Sequence, residues 1–515
     1  MIDALLIYPK LGSMDSMVVD LPLSIIYAAT DSVKQGYHIE LLDVRTISGN
    51  WKEVLKSKLE EGVLLAGISV MSGNPLKNAK EISIFIKDNS PDTQIVWGGP
   101  HVTVVPETLS EPYLDFIIRG YGSNSLAKLI ACLKNGYNSN LSSIPGLGYK
   151  KKGEIFQNAR VTEHEMIGYK DIPYDLIDVN SKYYQRRYNK TRMFPLFSAI
   201  GCPYQCTFCV HPTIYKEING AKWRKYSTDE VVSHIEYVHK KFNVDHIVFM
   251  DDTSFPDLLH MQKIFEMVIE RDLHITMEFR GARVNEIDRM DDDYLTLMEK
   301  VGGRVLMVGV ESGSNRILKD FQKGITKEQI LRINRKLARH PNLIPHYNFI
   351  YGTPGETYQD LMETKYLALQ LIKENPKAYF GFGSDWKPIP GTVMLSIAEK
   401  EYGYKKPLTL DEWVLMDSSD ALHKIVHPWY TKELNNMIKL LQIASFVIDD
   451  KIIKESMDNN TLLFCIFRLM AQIYKPIALF RLRYNITNYL FEYRLWQYII
   501  IFLPKFNLLM NTHEE

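Results

Sequence analysis

Three of the chain's five cysteines fall within eight residues, Cys202, Cys206 and Cys209 of "GCPYQCTFC". Thiolates at such spacing hold either a zinc ion or an iron–sulfur cluster. A closed zinc site needs a fourth donor. The nearest is His211, two residues past Cys209 and outside the usual finger spacing. A four-iron cluster can instead take three corners from one loop and leave its fourth iron to a chelating cosubstrate. The spacing alone leans toward iron without deciding the matter.

The elements around the triad must position it. "FPLFSAIG" reads as a strand running into the cysteine loop, and "STDEVVSHIEYVHKKF" as a helix opened by a capping box of Ser227 and Glu230. "DHIVFMDD" is a strand ending in two carboxylates, followed by a helix near 258–270. "HITMEFRG", the helix "DDYLTLMEKVG", "RVLMVGVESGS" and a helix from Thr326, with a second capping box through Gln329, continue the alternation. "IPHYNFIYGTPGET" and "AYFGFGSDWKPIPGT" supply the fifth and sixth strands. Six such units predict an open barrel with function on the loops after the strands. Every polar motif named here falls at such an end. Each also has a structural reading. Asp251 and Asp252 could cap the next helix, Arg283 could form a structural ion pair, and Gly352, Pro354 and Gly355 could only shape a turn.

Residues from about 192 to 395 closely resemble the radical S-adenosylmethionine (SAM) core. The resemblance implies that Cys202, Cys206 and Cys209 bind a 4Fe-4S cluster whose fourth iron SAM chelates through its amino and carboxylate groups. It places Asp251 and Asp252 at the SAM amino group and Arg283 as the arginine after the third strand. Glu311 and Ser312, of "ESGS", fall near ribose and carboxylate. Gly352, Pro354, Gly355 and Glu356 match the adenine-side motif, and Pro390, of "PIPGT", the sixth strand. Phe208 is the aromatic before the last cysteine. His211 becomes a bystander, and no catalytic side chain is named.

The first third alternates in the same way. "DALLIYP" precedes a helix that Gly36 would terminate, and "HIELLDV", "LLAGISV", "TQIVWGG" and "DFIIRG" follow with helices between them. This predicts a Rossmann-like parallel sheet with ligands at its carboxyl ends, on the loops Pro9–Leu21, Ser69–Pro75, Gly98–Pro106 and Gly120–Ser125. No GxGxxG follows the first strand, which disfavours nicotinamide. "LPLSIIYAA", "GISV", "GGPH" and "RGYG" together resemble the cobalamin-binding domain that precedes the barrel in one group of radical SAM enzymes. The resemblance implies that Gly98, Gly99, Gly120 and Gly122 contact cobalamin. Two departures stand out. No DxHxxG supplies an imidazole to cobalt, and Ser123 stands where the family often has an acidic residue.

The resulting division is 1–140 for the cobalamin-binding domain, 141–191 for a linker with a small hairpin around Lys151–Gly153, 192–395 for the barrel, and 396–515 for a helical region. Sixty-one acidic and sixty-one basic residues argue against a nucleic-acid binder. The odd cysteine count fits a reducing cytoplasm, and the N-terminus has no secretory signal. In the helical region, His423, His427, Trp429 and Tyr430 could reach substrate or could be packing. The last fifty residues mix apolar faces with Arg468, Lys475, Arg481, Arg483, Arg494 and Lys505. They read as an interfacial helix on an anionic membrane or as a bundle packed on the barrel. Pro476 favours the bundle, because it interrupts a continuous helix. Cys465 reads as a buried thiol.

The resemblances imply a mechanism. The reduced cluster cleaves SAM to methionine and a 5′-deoxyadenosyl radical, which abstracts hydrogen from an unactivated carbon. Methyl transfer from methylcobalamin follows, and a reductase, flavodoxin or ferredoxin supplies electrons. The alternative is oxidative cyclisation or rearrangement with the same cofactors. A methylthiotransferase needs three further N-terminal cysteines, and only Cys132 precedes the triad. A non-catalytic sensor would have no use for a complete SAM pattern. The substrate is a small molecule, and the basic tail points toward a lipid-like one.

Overall fold

The computed structural model describes residues 1–12, 15, 20–47, 49–136, 140–178, 192–381, 384–416, 427–449 and 462–495. Two large sheets carry the architecture. In the first, β1 (Ile2–Tyr8), β2 (Ile39–Asp43), β3 (Val63–Ser69), β4 (Gln94–Gly98) and β5 (Phe116–Ile118) are parallel, in the order β2-β1-β3-β4-β5. These strands are near-continuous apolar runs because helices cover both faces. The order changes direction between β1 and β3, and a ligand crevice is expected outside their carboxyl ends. The hairpin of β6 (Leu147–Lys151) and β7 (Glu154–Gln157) turns at Lys152 and Gly153, both at positive φ. It joins β5 antiparallel, so the sheet continues past residue 140, where the strand–helix alternation stops.

The second sheet opens with β8 (Met193–Leu196). "FPLFSAIG" is not one strand. It breaks after Leu196, and β9 (Ala199–Gly201) turns aside to pair antiparallel with β10 (Trp223–Lys225). The Asp251 carboxylate holds this corner by accepting the Ser198 and Ala199 N–H groups at 2.7 and 3.1 Å. β11 (His246–Phe249), β12 (Thr276–Arg283), β13 (Gly303–Glu311), β14 (Ile344–Tyr351) and β15 (Tyr379–Phe380) then add to β8 in turn, all parallel. β16 (Ser384–Asp385) continues beside β14. Spatial neighbours are sequence neighbours, which is the winding of a partial (β/α)6 barrel. Its core is aromatic and aliphatic, with Phe249 and Phe279 stacked across β11 and β12 at 5.1 Å.

Local signals are met unequally. Thr326 and Gln329 close a full capping box. Ser227 caps its helix, but the Glu230 carboxylate turns away to accept the Tyr169 N–H at 2.9 Å. It ties the preceding segment to the barrel instead of closing the box. The helix Leu258–Glu270 is capped by Asp257, not by Asp251 or Asp252.

The C-terminal third differs from its reading in two places. Pro476 lies inside one helix, Leu462–Tyr484, and does not interrupt it. Pro476 and Gln472 are both on the exposed side, where water can serve the carbonyl that proline leaves without a donor. Cys465 is exposed, not buried, because it falls on that same outer side. His423 and Lys505 lie outside the described residues. Among the described residues no helix is long and apolar enough to cross a membrane.

One core contact sets a pH limit. His234 is buried against Tyr169 and bonded to the Tyr174 hydroxyl at 3.0 Å, and burial pulls its pKa down to about 3. A histidine in the unfolded chain titrates near 6.5. Its contribution is therefore whole above about pH 6.5 and is lost as pH falls toward 3. His234→Gln should flatten the decline in stability between pH 6.5 and 4 by up to about 1.4 kcal/mol per pH unit, measured by urea unfolding across that range.

Candidate active site between the two sheets

The carboxyl ends of the two sheets face each other. Asp20, on the loop after β1, pairs with Arg280 of β12 at 2.8 Å. Val104, after β4, lies against Gly391 in the loop after the last barrel strands. Tyr121, after β5, bonds His164 at 2.6 Å, and His164 packs edge-on to Tyr215 of the cysteine loop. The candidate residues of both sheets thus border one region.

On the barrel side the cysteine loop is fixed at several points. The β9–β10 ribbon closes its base. Thr207 bonds the Phe321 and Asp320 carbonyls at 3.0 and 2.9 Å, and Phe208 packs edge-on to Phe321. Arg283 lies over the Tyr204 ring at 3.6 Å and donates to the Cys206 sulfur at 3.4 Å and the Lys323 carbonyl at 3.0 Å. The Tyr204 hydroxyl reaches the fully buried Glu286 at 2.9 Å, which also accepts from Thr253. Arg283 makes no carboxylate ion pair here. It sets a positive charge beside a thiol.

His211 is no bystander. Its imidazole faces the Asp252 carboxylate at 3.3 Å and also acts on the neighbouring Cys209 thiol. Burial works to raise the Cys209 thiol, yet His211 carries it below its ordinary value. Burial pushes the Cys202 thiol up to about 12. Asp252 also accepts from the Tyr215 hydroxyl at 2.9 Å. Asp251, by contrast, is buried and occupied by its corner, including the Ser198 hydroxyl at 2.6 Å, and burial raises it to about 7.

The remaining strand ends close the ring. Glu311 has φ 66°, in the left-handed region, and its carboxylate holds the Lys323 ammonium at 2.6 Å in a buried pair. Such a backbone costs about 1–3 kcal/mol for a non-glycine residue and persists only where its surroundings impose it. Ser312 bonds Thr364, and Gly313 packs so tightly on the helix Tyr358–Glu374 that a Cβ would lie 2.5 Å from the Thr364 Cα. Glu356 folds back onto its own turn, accepting the Gly352 and Thr353 N–H groups, and burial raises it to about 8. Its second oxygen and the Thr353 hydroxyl are buried without partners, as is the hydroxyl of Tyr430, which covers Gly352. Pro354 and Pro390 are buried in their turns. His427 stacks on Trp429 at 4.7 Å and bonds the Trp386 carbonyl, so both belong to packing around this turn.

On the opposite side, Gly98, Gly99, Gly120 and Gly122 form a rim without side chains. Gly99 has φ 104°, and a Cβ there would meet the Val70 carbonyl at 2.7 Å, so the turn itself demands glycine. Gly98 and Gly122 are different. Among the described residues a Cβ on either meets nothing nearer than 3.9 Å, so both positions present bare backbone. His101 of "GGPH" is buried with both ring nitrogens bonded, to Ser72 at 2.9 Å and Thr108 at 3.1 Å, and does not face this rim as a free imidazole. Where Ser123 replaces an acidic residue, Glu165 brings a carboxylate to the Asn124 N–H at 3.3 Å.

The donor sets suit the implied groups. Three free thiols, with the Arg283 guanidinium at Cys206 and the His211 imidazole acting on Cys209, match an iron–sulfur cluster, whose bound thiolates are anionic. Among the described residues no three His, Cys, Asp or Glu groups converge as ligands of a single ion. Orphaned polar atoms at the β14 turn match a polar cosubstrate, and the open glycine rim matches a macrocycle.

Comparison with known proteins agrees with this chemistry. The B12 binding domain family model matches residues 12–130, and the radical SAM superfamily model matches 197–368. The chain belongs to the cobalamin-dependent radical SAM enzymes. The cofactors of this enzyme are a 4Fe-4S cluster, SAM and cobalamin. It is similar to an uncharacterised methyltransferase of Pyrococcus horikoshii, 25% identical over 88% of this chain and 95% of the relative. The anaerobic magnesium-protoporphyrin IX monomethyl ester cyclase of Synechocystis is 24% identical over 65% of this chain and 66% of its own length. Among solved structures, the cobalamin-dependent SAM radical enzyme OxsB shares the fold with a TM-score of 0.71, covering 98% of this chain and 75% of its own at 19% identity. The methyltransferase TsrM of Kitasatospora setae shares it at 0.61, covering 78% and 77% at 19% identity.

Tyr204, Lys323, Glu286, His164 and Glu165 were not visible as site residues in the sequence. Only Glu286 had a signal, its position three residues after Arg283 at a helix start. Gly99→Ala should destabilise the fold by about 2 kcal/mol or more, and Gly122→Ala by less than about 1 kcal/mol. Urea unfolding of the two variants measures the contrast.

Proposed function

We propose that the enzyme methylates an unactivated carbon of a small-molecule or lipid-like substrate lying between the cysteine loop and the glycine rim. The observation that carries this reading is the opposition of these two loop systems, which brings a thiol triad and a rim of bare glycine backbone to one region. A relative that matches 88% of this chain is named an uncharacterised methyltransferase, which supports it further. The bound cofactors supply a radical that removes hydrogen from the carbon and a methyl group that replaces it.

The chain's own residues position and shield. Cys202, Cys206 and Cys209 hold the cluster, with Arg283 and His211 balancing thiolate charge. Asp252, Glu311 and Ser312 line the polar end of SAM, and Gly352, Pro354, Gly355, Glu356 and Pro390 shape its adenine side. Asp251 acts through the β8–β9 corner, setting the loop's direction. Gly98, Gly99, Gly120 and Gly122 floor the cobalamin. Residues 1–140 then form the cobalamin unit, 141–191 a linker whose β6–β7 hairpin extends that unit's sheet, 192–395 the barrel and 396–515 the helical region. The enzyme works in the cytoplasm with a reductase, flavodoxin or ferredoxin as electron donor.

A second reading, oxidative cyclisation or rearrangement without methylation, draws on the similarity to the cyclase of Synechocystis. Anaerobic incubation with cobalamin, SAM, reductant and cell extract separates them by mass. A product heavier by one CH2 supports methylation, and an unchanged carbon count supports the second reading. Cys206→Ala should lose the cluster and all 5′-deoxyadenosine formation. Undiminished formation would overturn the assignment of the triad. Gly98→Leu should keep the fold and iron content but retain at least about tenfold less cobalamin, read by visible absorbance, since the side chain enters space the ring needs.

A further inference from the structure

We propose that the helix Leu462–Tyr484 rests on an anionic lipid bilayer, lying in the plane of its surface. A helix that only packs on a barrel hides one apolar stripe and shows a polar one. This helix is apolar on both sides. Ala471, Ala478 and Leu482 are buried against the barrel core. On the other side Ile466, Leu469, Ile473, Ile477, Phe480 and Tyr484 stand exposed at spacings of three and four residues, with Ile473 57% and Phe480 56% accessible. Beyond the helix Tyr489 and Phe491 continue the patch at 92% and 73%. So many large side chains in one outward row mark an interaction surface.

Charge identifies what covers it. From 462 to 495 the chain holds five Lys or Arg and a single acid, Glu492. That acid is buried, paired with Arg481 and bonded to the Tyr474 hydroxyl at 3.0 Å. Arg483 and Arg494 are exposed beside the apolar row. A second copy would set like charges against each other. Anionic headgroups over acyl chains answer both the basic rim and the apolar row. The helix is about 35 Å long and lies along the barrel instead of crossing a membrane. Its end is held there by the buried Lys365, whose ammonium donates to the Leu482 carbonyl at 3.1 Å and the Asn485 side chain at 2.6 Å. The apolar row therefore has a fixed direction relative to the active site.

The test is sedimentation of the full-length holoenzyme with vesicles of phosphatidylcholine alone or with one quarter phosphatidylglycerol. Binding should be at least tenfold stronger to the anionic vesicles. It should fall at least tenfold in Ile473→Glu/Phe480→Glu and about fivefold for each of Arg483→Gln and Arg494→Gln. 5′-Deoxyadenosine formation in solution should stay unchanged in these variants, which separates this outcome from failure of the catalytic reading. Equal binding to both vesicles, undiminished binding of the double variant, or a stable dimer that the double variant dissolves would each overturn the proposal.

Discussion

A loop carrying three thiols cannot hold its own shape, and here a single guanidinium does much of the holding. Arg283 touches the cysteine loop through the Tyr204 ring and the Cys206 sulfur, and touches the fourth barrel unit through the Lys323 carbonyl. Lys323 in turn fixes Glu311 in its left-handed backbone. The second, third and fourth strand ends are thereby locked into one polar assembly with Thr253, Glu286 and Tyr204. Buried networks of this kind are stabilising when fully satisfied and costly when opened. The barrel below is an aromatic core that resists displacement of any one strand.

The mouth of that barrel is covered by the other sheet, and the covering is specific. Asp20, Val104 and Tyr121, which meet the barrel across the gap, all follow the carboxyl ends of parallel strands, which is where such sheets present ligands. Two sheets built by the same rule, turned face to face, bring their strand-end residues to one region.

Much of this was legible in the sequence. The cysteine spacing, the strand-end motifs and the alternation of strand and helix are periodic or local signals. They located Cys202, Cys206, Cys209, Glu311 and the turn at Gly352–Glu356 near one another. Asp251 and Asp252 were read as a pair, but their jobs differ, because one side chain points into a strand corner and its neighbour toward His211 and Tyr215. Tyr204, Lys323, His164 and Glu165 had no signature, since their partners lie far away in the chain. Pro476 and Cys465 were misread for a related reason. Rules for proline and cysteine assume an average environment, and the outer side of the C-terminal helix is not one.

The first sheet and the last third of the chain share a hydrophobic cluster. Leu76, Ala79 and Ile82 of the helix Asn74–Asn89 pack with Met394, Leu395 and Trp413, and Lys80 meets Asp411, 331 residues away. During synthesis the amino-terminal sheet therefore emerges with one helix face uncovered. It stays so until the barrel and the segment beyond it have been made, and nascent domains usually complete their folding in order. The cobalamin-binding sheet precedes the barrel in the chain, yet its core is completed only by residues that follow the barrel.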